Sequence, residues 1–282
     1  MCGRYAATAD PDELIEAFEV DVDATGETSR SVLVNPQDPP VGSPDYNMAP
    51  SKQAPVVLTR APRDDDGGSR NDGEPVRQLR LLTWGLVPSW AKDPKVGMRM
   101  VNARAESLLD KPAFAKAALA RRCVVPADGW YEWQVSPVAK DAKGKPRKQP
   151  FFMHRADGDR IGFAGIYEFW RDRSAAQDDP AAWIVSFTII TTAAEEGLDR
   201  VHDRQPVVLE RDAWQDWLDP ATTDPDEVRA LLESPGPGRF EAYPISTAVN
   251  ATRNNGSHLL QRLPDDQLVG VVNPATGEVL GG

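Results

Sequence analysis

The chain of 282 residues carries 32 basic and 43 acidic side chains, and its formal net charge of −11 excludes a generic nucleic-acid coat protein, whose phosphate binding needs a positive footprint. Hydrophobic residues at 40% and eight tryptophans exclude a disordered chain. No apolar run approaches the roughly 18 residues of a membrane span, no secretory signal is visible, and two distant cysteines, Cys2 and Cys123, point to a cytoplasmic protein without a disulfide framework.

In chain order, "DPDELIEAFEV" predicts a helix, with Asp10 as N-cap, Pro11 in the first turn and Leu14, Ile15 and Phe18 on one face. Residues 23–45 and 61–75 are rich in Pro, Gly, Ser and Asp and predict surface insertions, with a third near 171–182. "VRQLRLLTW" alternates as a strand, "PAFAKAALARR" predicts a helix, and "CVVPADGWYEW" a buried strand entering a turn. "VSPVAKDAKGKPRKQP" is expected as a lysine-rich hairpin loop between strands. "IGFAGIYEFW" and "AWIVSFTIITT" carry the clearest strand signals, and "LERDAWQDWL" and "PDEVRALLE" predict short helices. Without a βαβ rhythm or an internal repeat, the pattern predicts one α+β domain with a largely antiparallel core and peripheral helices.

The chain has no Gly-rich phosphate loop, no G-x-S-x-G elbow and no Cys/His spacing for zinc. Chemistry therefore falls to scattered polar groups. Cys2 follows the start methionine, and removal of Met1 would leave a free α-amine beside a thiol, a 1,2-aminothiol suited to carbonyl chemistry. Arg4, two residues on, can bind an anion. Cys123 in "RRCVVPADG" reads as a small buried hydrophobe.

Glu132 sits among the aromatics of "GWYEW", where desolvation would raise its pKa and prepare it for acid or base work; the plainer reading is the solvent face of a strand. His202 in "VHDRQPVV" follows an apolar strand, a position that favours function over a purely structural hydrogen bond. Asn102 and Arg104 of "VNARAE" alternate onto one side of an extended segment, an amide able to orient a neighbour and a guanidinium able to grip phosphate. Trp84, Pro88 and Trp90, interleaved with Lys92 and Lys95, read either as core or as an aromatic rim for stacking bases.

Ten segments in order, "MCGRY", "YNMAPS", "TWGLVPSWAK", "VNARAE", "RRCVVPADGWYEW", "QPFF", "AGIYEFW", "TIITTAA", "HDRQPVVL" and "VNATRNNG", resemble the SRAP (SOS response-associated peptidase) family, whose members crosslink to abasic sites in single-stranded DNA. The resemblance spans nearly the whole chain outside the three insertions. It implies a single α+β domain with a β-rich, barrel-like core. It further implies that Cys2 is the crosslinking nucleophile, that Asn102 is an orienting amide, and that Glu132 and His202 are catalytic. Arg4, Arg104 and Arg204 would contact DNA phosphate, and Asn47, Pro50 and Trp84 would pack under or wedge into the DNA at the lesion. Gln205 departs from the family's usual Met or Arg while the neighbouring His and Arg are kept.

An abasic site equilibrates with a ring-opened aldehyde, which a neutral α-amine attacks to give a Schiff base; the adjacent thiolate then closes a thiazolidine. An α-amine with an ordinary pKa of about 7.7–8.0 is partly neutral at physiological pH, and proximity favours ring closure. No metal and no organic cofactor is called for. The expected partner is single-stranded DNA containing abasic sites, bound by a monomer that is cytoplasmic and nucleoid-associated when on DNA, with no membrane. An N-terminal-nucleophile amidohydrolase or a peptidase using Cys2 is the alternative, resting on the Met-Cys-Gly start alone or on the family's name.

Overall fold

In a computed structural model, the structure describes residues 2–27, 37–61, 73–176 and 179–281. Met1, whose removal the aminothiol requires, lies outside the described residues, as do parts of the three expected insertions, 28–36, 62–72 and 177–178.

The strands are β1 (Tyr5–Ala7), β2 (Val22–Asp23), β3 (Asp45–Met48), β4 (Gln53–Arg60), β5 (Val76–Trp84), β6 (Asn102–Arg104), β7 (Arg122–Ala127), β8 (Gly129–Lys140), β9 (Pro146–Arg155), β10 (Ile161–Arg171), β11 (Trp183–Ala193), β12 (Arg204–Pro206), β13 (Val208–Leu209), β14 (Phe240–Pro244), β15 (Val271–Val272) and β16 (Val279–Leu280). The α-helices are α1 (Pro11–Ala17), α2 (Ala115–Ala120), α3 (Trp214–Leu218) and α4 (Pro225–Ala230). In α1 the Asp10 side chain accepts from the Glu13 backbone N–H and Pro11 opens the first turn, so both start signals act as their chemistry dictates.

Strands β11, β10, β7, β4 and β5 pair in that order, and β5 returns to β11 to close a five-stranded barrel. Four of these pairings are antiparallel; the closing one is parallel, with Ser186 opposite Thr83 and Phe187 opposite Trp84. The expectation of a largely antiparallel core thus holds, with parallel exceptions at β5–β11, β6–β11 and β2–β5. A second, wholly antiparallel sheet runs β14-β9-β8-β1-β3.

Alternation sorts the barrel residues. Val56, Leu58, Val125, Phe163 and Phe187 join Tyr5, Trp130 and Met153 of the second sheet in one core. Val57, Leu79, Val124, Ile166 and Ile190 pack with Leu14, Ala118, Trp217 and Val228 of the helices in another. Cys123 lies in the first core as the small hydrophobe its context predicts.

The lysine-rich segment is a correction. Strand β8 runs on to Lys140 and β9 starts at Pro146, so only residues 141–145 turn. The Asp141 carboxylate accepts from the Lys143 and Lys145 backbone N–H groups, a local turn that closes the hairpin where Lys140 pairs with Pro146, beyond a register shift that follows Val135.

Candidate active site

Strand pairing brings the chain start to β8. Tyr5 lies opposite Trp130, and the Tyr131 N–H donates to the Arg4 carbonyl at 3.0 Å. Residues before Tyr5 therefore run back alongside Tyr131, Glu132 and Trp133. Strand β11 supplies the other walls. Its Ile189–Thr191 stretch pairs with β6, placing Asn102 and Arg104 on one side of that short strand, and its Thr191–Ala193 stretch pairs with β12, which begins at Arg204. Gly85 has φ +124 and a Cβ there would meet the Gly97 carbonyl oxygen at 2.7 Å, so glycine lets segment 85–100 fold back and deliver β6 to β11.

Cys2 is fully buried. Asn102 Nδ2 donates to its carbonyl oxygen at 2.8 Å, and Asn102 Oδ1 is buried with no hydrogen-bond partner among the described residues. The amide thus anchors residue 2 and keeps an acceptor open. Burial, and next the neighbouring Glu132 carboxylate, push the Cys2 thiol well above its ordinary pKa.

Glu132 is 2% exposed, and burial raises its carboxyl to about 7. The desolvation expected from "GWYEW" is therefore present, and the solvent-face reading is excluded. His202, with its side chain 27% exposed, places Nε2 3.9 Å from Glu132 Oε2. His202 Nδ1 is held by two neighbours, the Arg204 backbone N–H at 3.0 Å and Asp203 Oδ1 at 3.1 Å, which turns Nε2 toward Glu132. Burial lowers the His202 pKa from its ordinary value. Cys2, Asn102, Glu132 and His202 converge as the sequence reading brings them together.

The expected DNA-contacting set divides. Arg104 is exposed at the rim of this cluster. Arg204 is held by Glu106, whose two carboxylate oxygens accept from its two Nη groups at 2.6 and 2.9 Å, and it also donates to the Thr191 carbonyl at 2.7 Å. This ion pair holds the Glu106 carboxyl below the usual range. Arg4 donates to Asn47 Oδ1 at 2.6 Å and to the Val249 and Asn250 carbonyls, so it braces a loop. Asn47, fully buried, donates through Nδ2 to the carbonyls of Val249, Ala251 and Asn254. Pro50 is half-buried and precedes a turn in which the Ser51 N–H donates to the Trp84 carbonyl.

Trp84 corrects the rim. It is 1% exposed, its Nε1 donates to the Val101 carbonyl, and its ring packs on Tyr5 and Phe187. The closing pair of the barrel buries it, and Pro88 is buried as well. Only Trp90, at 60% exposed, presents an aromatic face beside the exposed Lys92 and Lys95. Glu106 is the residue sequence reading passes over. Its signal was available: in "VNARAE" it stands two residues past Arg104, the same alternation that groups Asn102 with Arg104. Among the described residues no group of three or more His, Cys, Asp or Glu is arranged to hold a metal ion, and no helix is long and apolar enough to cross a membrane.

The family model for SOS response associated peptidases (SRAP) matches residues 1–252. The chain belongs to this family. It is 36% identical over 263 residues to "Abasic site processing protein YoqW" of Bacillus subtilis strain 168, spanning 93% of this chain and 99% of that one. It is 30% identical over 306 residues to "Abasic site processing protein HMCES" of Rattus norvegicus, spanning 98% of this chain and 80% of that one. A crystal structure of a protein from Bacteroides thetaiotaomicron superposes with a TM-score of 0.66 at 21% identity, over 93% of this chain and all of the other, a likeness of fold. The five-stranded barrel and its second sheet are thus a SRAP scaffold.

Proposed function

We propose that this SRAP protein processes abasic sites in single-stranded DNA by forming a covalent thiazolidine through Cys2 once Met1 is removed. The observation that carries this reading is the seating of Cys2 between Asn102 and the Glu132–His202 pair. The relatives named for abasic site processing support the substrate class.

The chemistry follows from these groups. The freed α-amine adds to the C1′ aldehyde and water leaves, giving an imine. The Cys2 thiol then adds to the imine carbon, and its proton ends on the ring nitrogen. A thiol whose pKa is raised needs a base nearby, and a carboxyl at about 7 both accepts and returns a proton near neutral pH. The open Asn102 Oδ1 suits an N–H of the α-amine. His202 serves ring opening by giving a proton to the departing sugar oxygen and regaining one from the C1′ hydroxyl, so that the ring ends as it began. Arg104 and Trp90, both exposed, would meet phosphate and base.

The test is incubation of purified protein with single-stranded DNA carrying an abasic site, read as a shifted band that survives denaturation. Cys2→Ser with Met1 removed keeps the amine and should give only a Schiff base, trapped by borohydride and lost on heating. Protein shown by mass to retain a blocked amine should give no stable link. A heat-stable crosslink from blocked protein sinks the mechanism. Glutamine hydrolysis without reaction on abasic DNA would instead establish an amidohydrolase.

A further inference from the structure

The lysine-rich hairpin takes no part in the site just described, yet it is built with care. Its root is braced. Gln134 Nε2 donates to the Arg200 and Val272 carbonyls, Ser136 Oγ donates to the Gly270 carbonyl, and the Ala139 N–H donates back to Ser136 Oγ. Its tip is a defined turn, with Gly144 at φ +76 and the Asp141 carboxylate occupied by two backbone N–H groups. Between root and tip stand Lys140, Lys143, Lys145, Arg147 and Lys148, against Asp141 as the only acid. All four lysines are exposed, and no basic residue of the five has an ion pair or side-chain hydrogen bond among the described residues.

Many other surface cations of this acidic protein are neutralised: Arg155, Arg160, Arg204, Arg229 and Arg239 each face a carboxylate. A block of unneutralised positive charge on a two-stranded arm is therefore a local exception to a chain of net charge −11. Its complement is a polyanion. Strand β8 carries both the buried Glu132 and Lys140; their partners on β9, Phe151 and Pro146, are five residues apart, and at about 3.3 Å per residue this sets the arm roughly 17 Å from the carboxylate.

We infer that the hairpin 140–148 is a second DNA-binding element, which grips phosphates of the lesion-bearing strand at a distance from the abasic site. The inference rests on the reading of the protein as a binder of abasic single-stranded DNA. The arm adds electrostatic affinity and leaves the chemistry at Cys2 untouched. At about 3.4 Å per stacked nucleotide, the strand must extend about five nucleotides beyond the lesion to reach it.

The experiment compares full-length wild type with the quadruple variant Lys140→Gln, Lys143→Gln, Lys145→Gln, Lys148→Gln and with the matching Lys→Arg variant. Two abasic single strands are used at subsaturating protein, one with about three nucleotides on each side of the lesion and one with about fifteen. The neutral variant should crosslink the short strand at the wild-type rate and the long strand about tenfold more slowly. Its binding to undamaged long strand should lose about two to three from the salt slope, since each phosphate contact contributes about 0.7. The arginine variant should behave as wild type. Equal rates of wild type and neutral variant on the long strand, or equal losses on both strands, overturn the inference. Failure of wild type to crosslink either strand overturns the proposed function instead, and the arm is then judged by undamaged-strand binding alone.

Discussion

The buried end of the site and its exposed edge are built on opposite terms. Cys2, Asn102 and Glu132 sit on or against strands whose pairing fixes them, and burial rather than ion pairing sets their chemistry. Arg104 and Arg204 lie on the two short strands that flank β11, and Glu106 meets Arg204 there at the surface. His202 stands between the buried end and this edge. Burial penalises charge of either sign, so it moves the acid Glu132 up to about 7 and the base His202 down from its ordinary value. Two groups whose solution pKa values differ by about two are thereby brought together 3.9 Å apart. Strands thus fix the buried groups, and in the proposed function an adjustable ionic edge would meet the charged DNA strand.

The largest effect should come from the buried end. Glu132→Gln keeps the shape and removes the proton acceptor, and crosslinking should slow by about 100-fold or more, the usual scale of a lost general acid–base group. The same variant tests the burial argument through stability. Below pH 4.5, the ordinary value, native and unfolded Glu132 are both protonated; between 4.5 and about 7 the native state keeps a proton that the unfolded chain has released. Stability therefore falls as pH rises through that window, by an amount of order 3 kcal/mol. Glu132→Gln should melt at the wild-type temperature near pH 4 and several degrees higher at pH 8. A lower melting temperature at pH 8 would show that the carboxylate is stabilised where it sits, and the contrast between the two ends would fail.

Much of this was legible in the sequence because it rests on local signals. Asp10 and Pro11 start α1 as their chemistry requires, and the alternating segment of β5 and the β-branched and aromatic runs of β10 and β11 form strands where they are expected. Glu132 among aromatics announced its own desolvation. The misses are nonlocal. No pattern in "TWGLVPSW" says that β5 closes a barrel against β11 and so buries Trp84. Arg4 binds Asn47 and two carbonyls some 250 residues downstream, partners that no local pattern announces. The lysine-rich segment looked like a loop by composition, although cross-strand pairing carries it almost to the turn.

At the exposed edge the expected losses are smaller. Arg104→Ala should weaken binding to single-stranded DNA by about tenfold at moderate salt and reduce the salt slope by about 0.7, the share of one phosphate. The crosslinking rate at saturating protein should stay within a few-fold of wild type, because Arg104 is outside the buried cluster. A lost maximal rate with unchanged affinity would move Arg104 to the chemistry and erase the division between the two ends.

The smallest effect sharpens the comparison most. Glu106 occupies both Nη groups of Arg204, where a phosphate oxygen would otherwise sit, and adds a negative charge beside the path expected for DNA. An ion pair with one partner half-exposed contributes only about 0–1 kcal/mol, so a phosphate can compete for Arg204 at modest cost. Glu106→Gln removes the charge while keeping an acceptor. It should bind single-stranded DNA about two- to fourfold more tightly at low salt, the range of a single weak ion pair, and the gain should fade as salt screens the charge. The melting temperature should change by no more than about a degree or two, since one surface pair carries little stability. If affinity falls instead, Glu106 holds Arg204 in its working position, and the edge is as rigidly specified as the buried end. Measuring affinity and melting temperature on the same preparation separates the two readings.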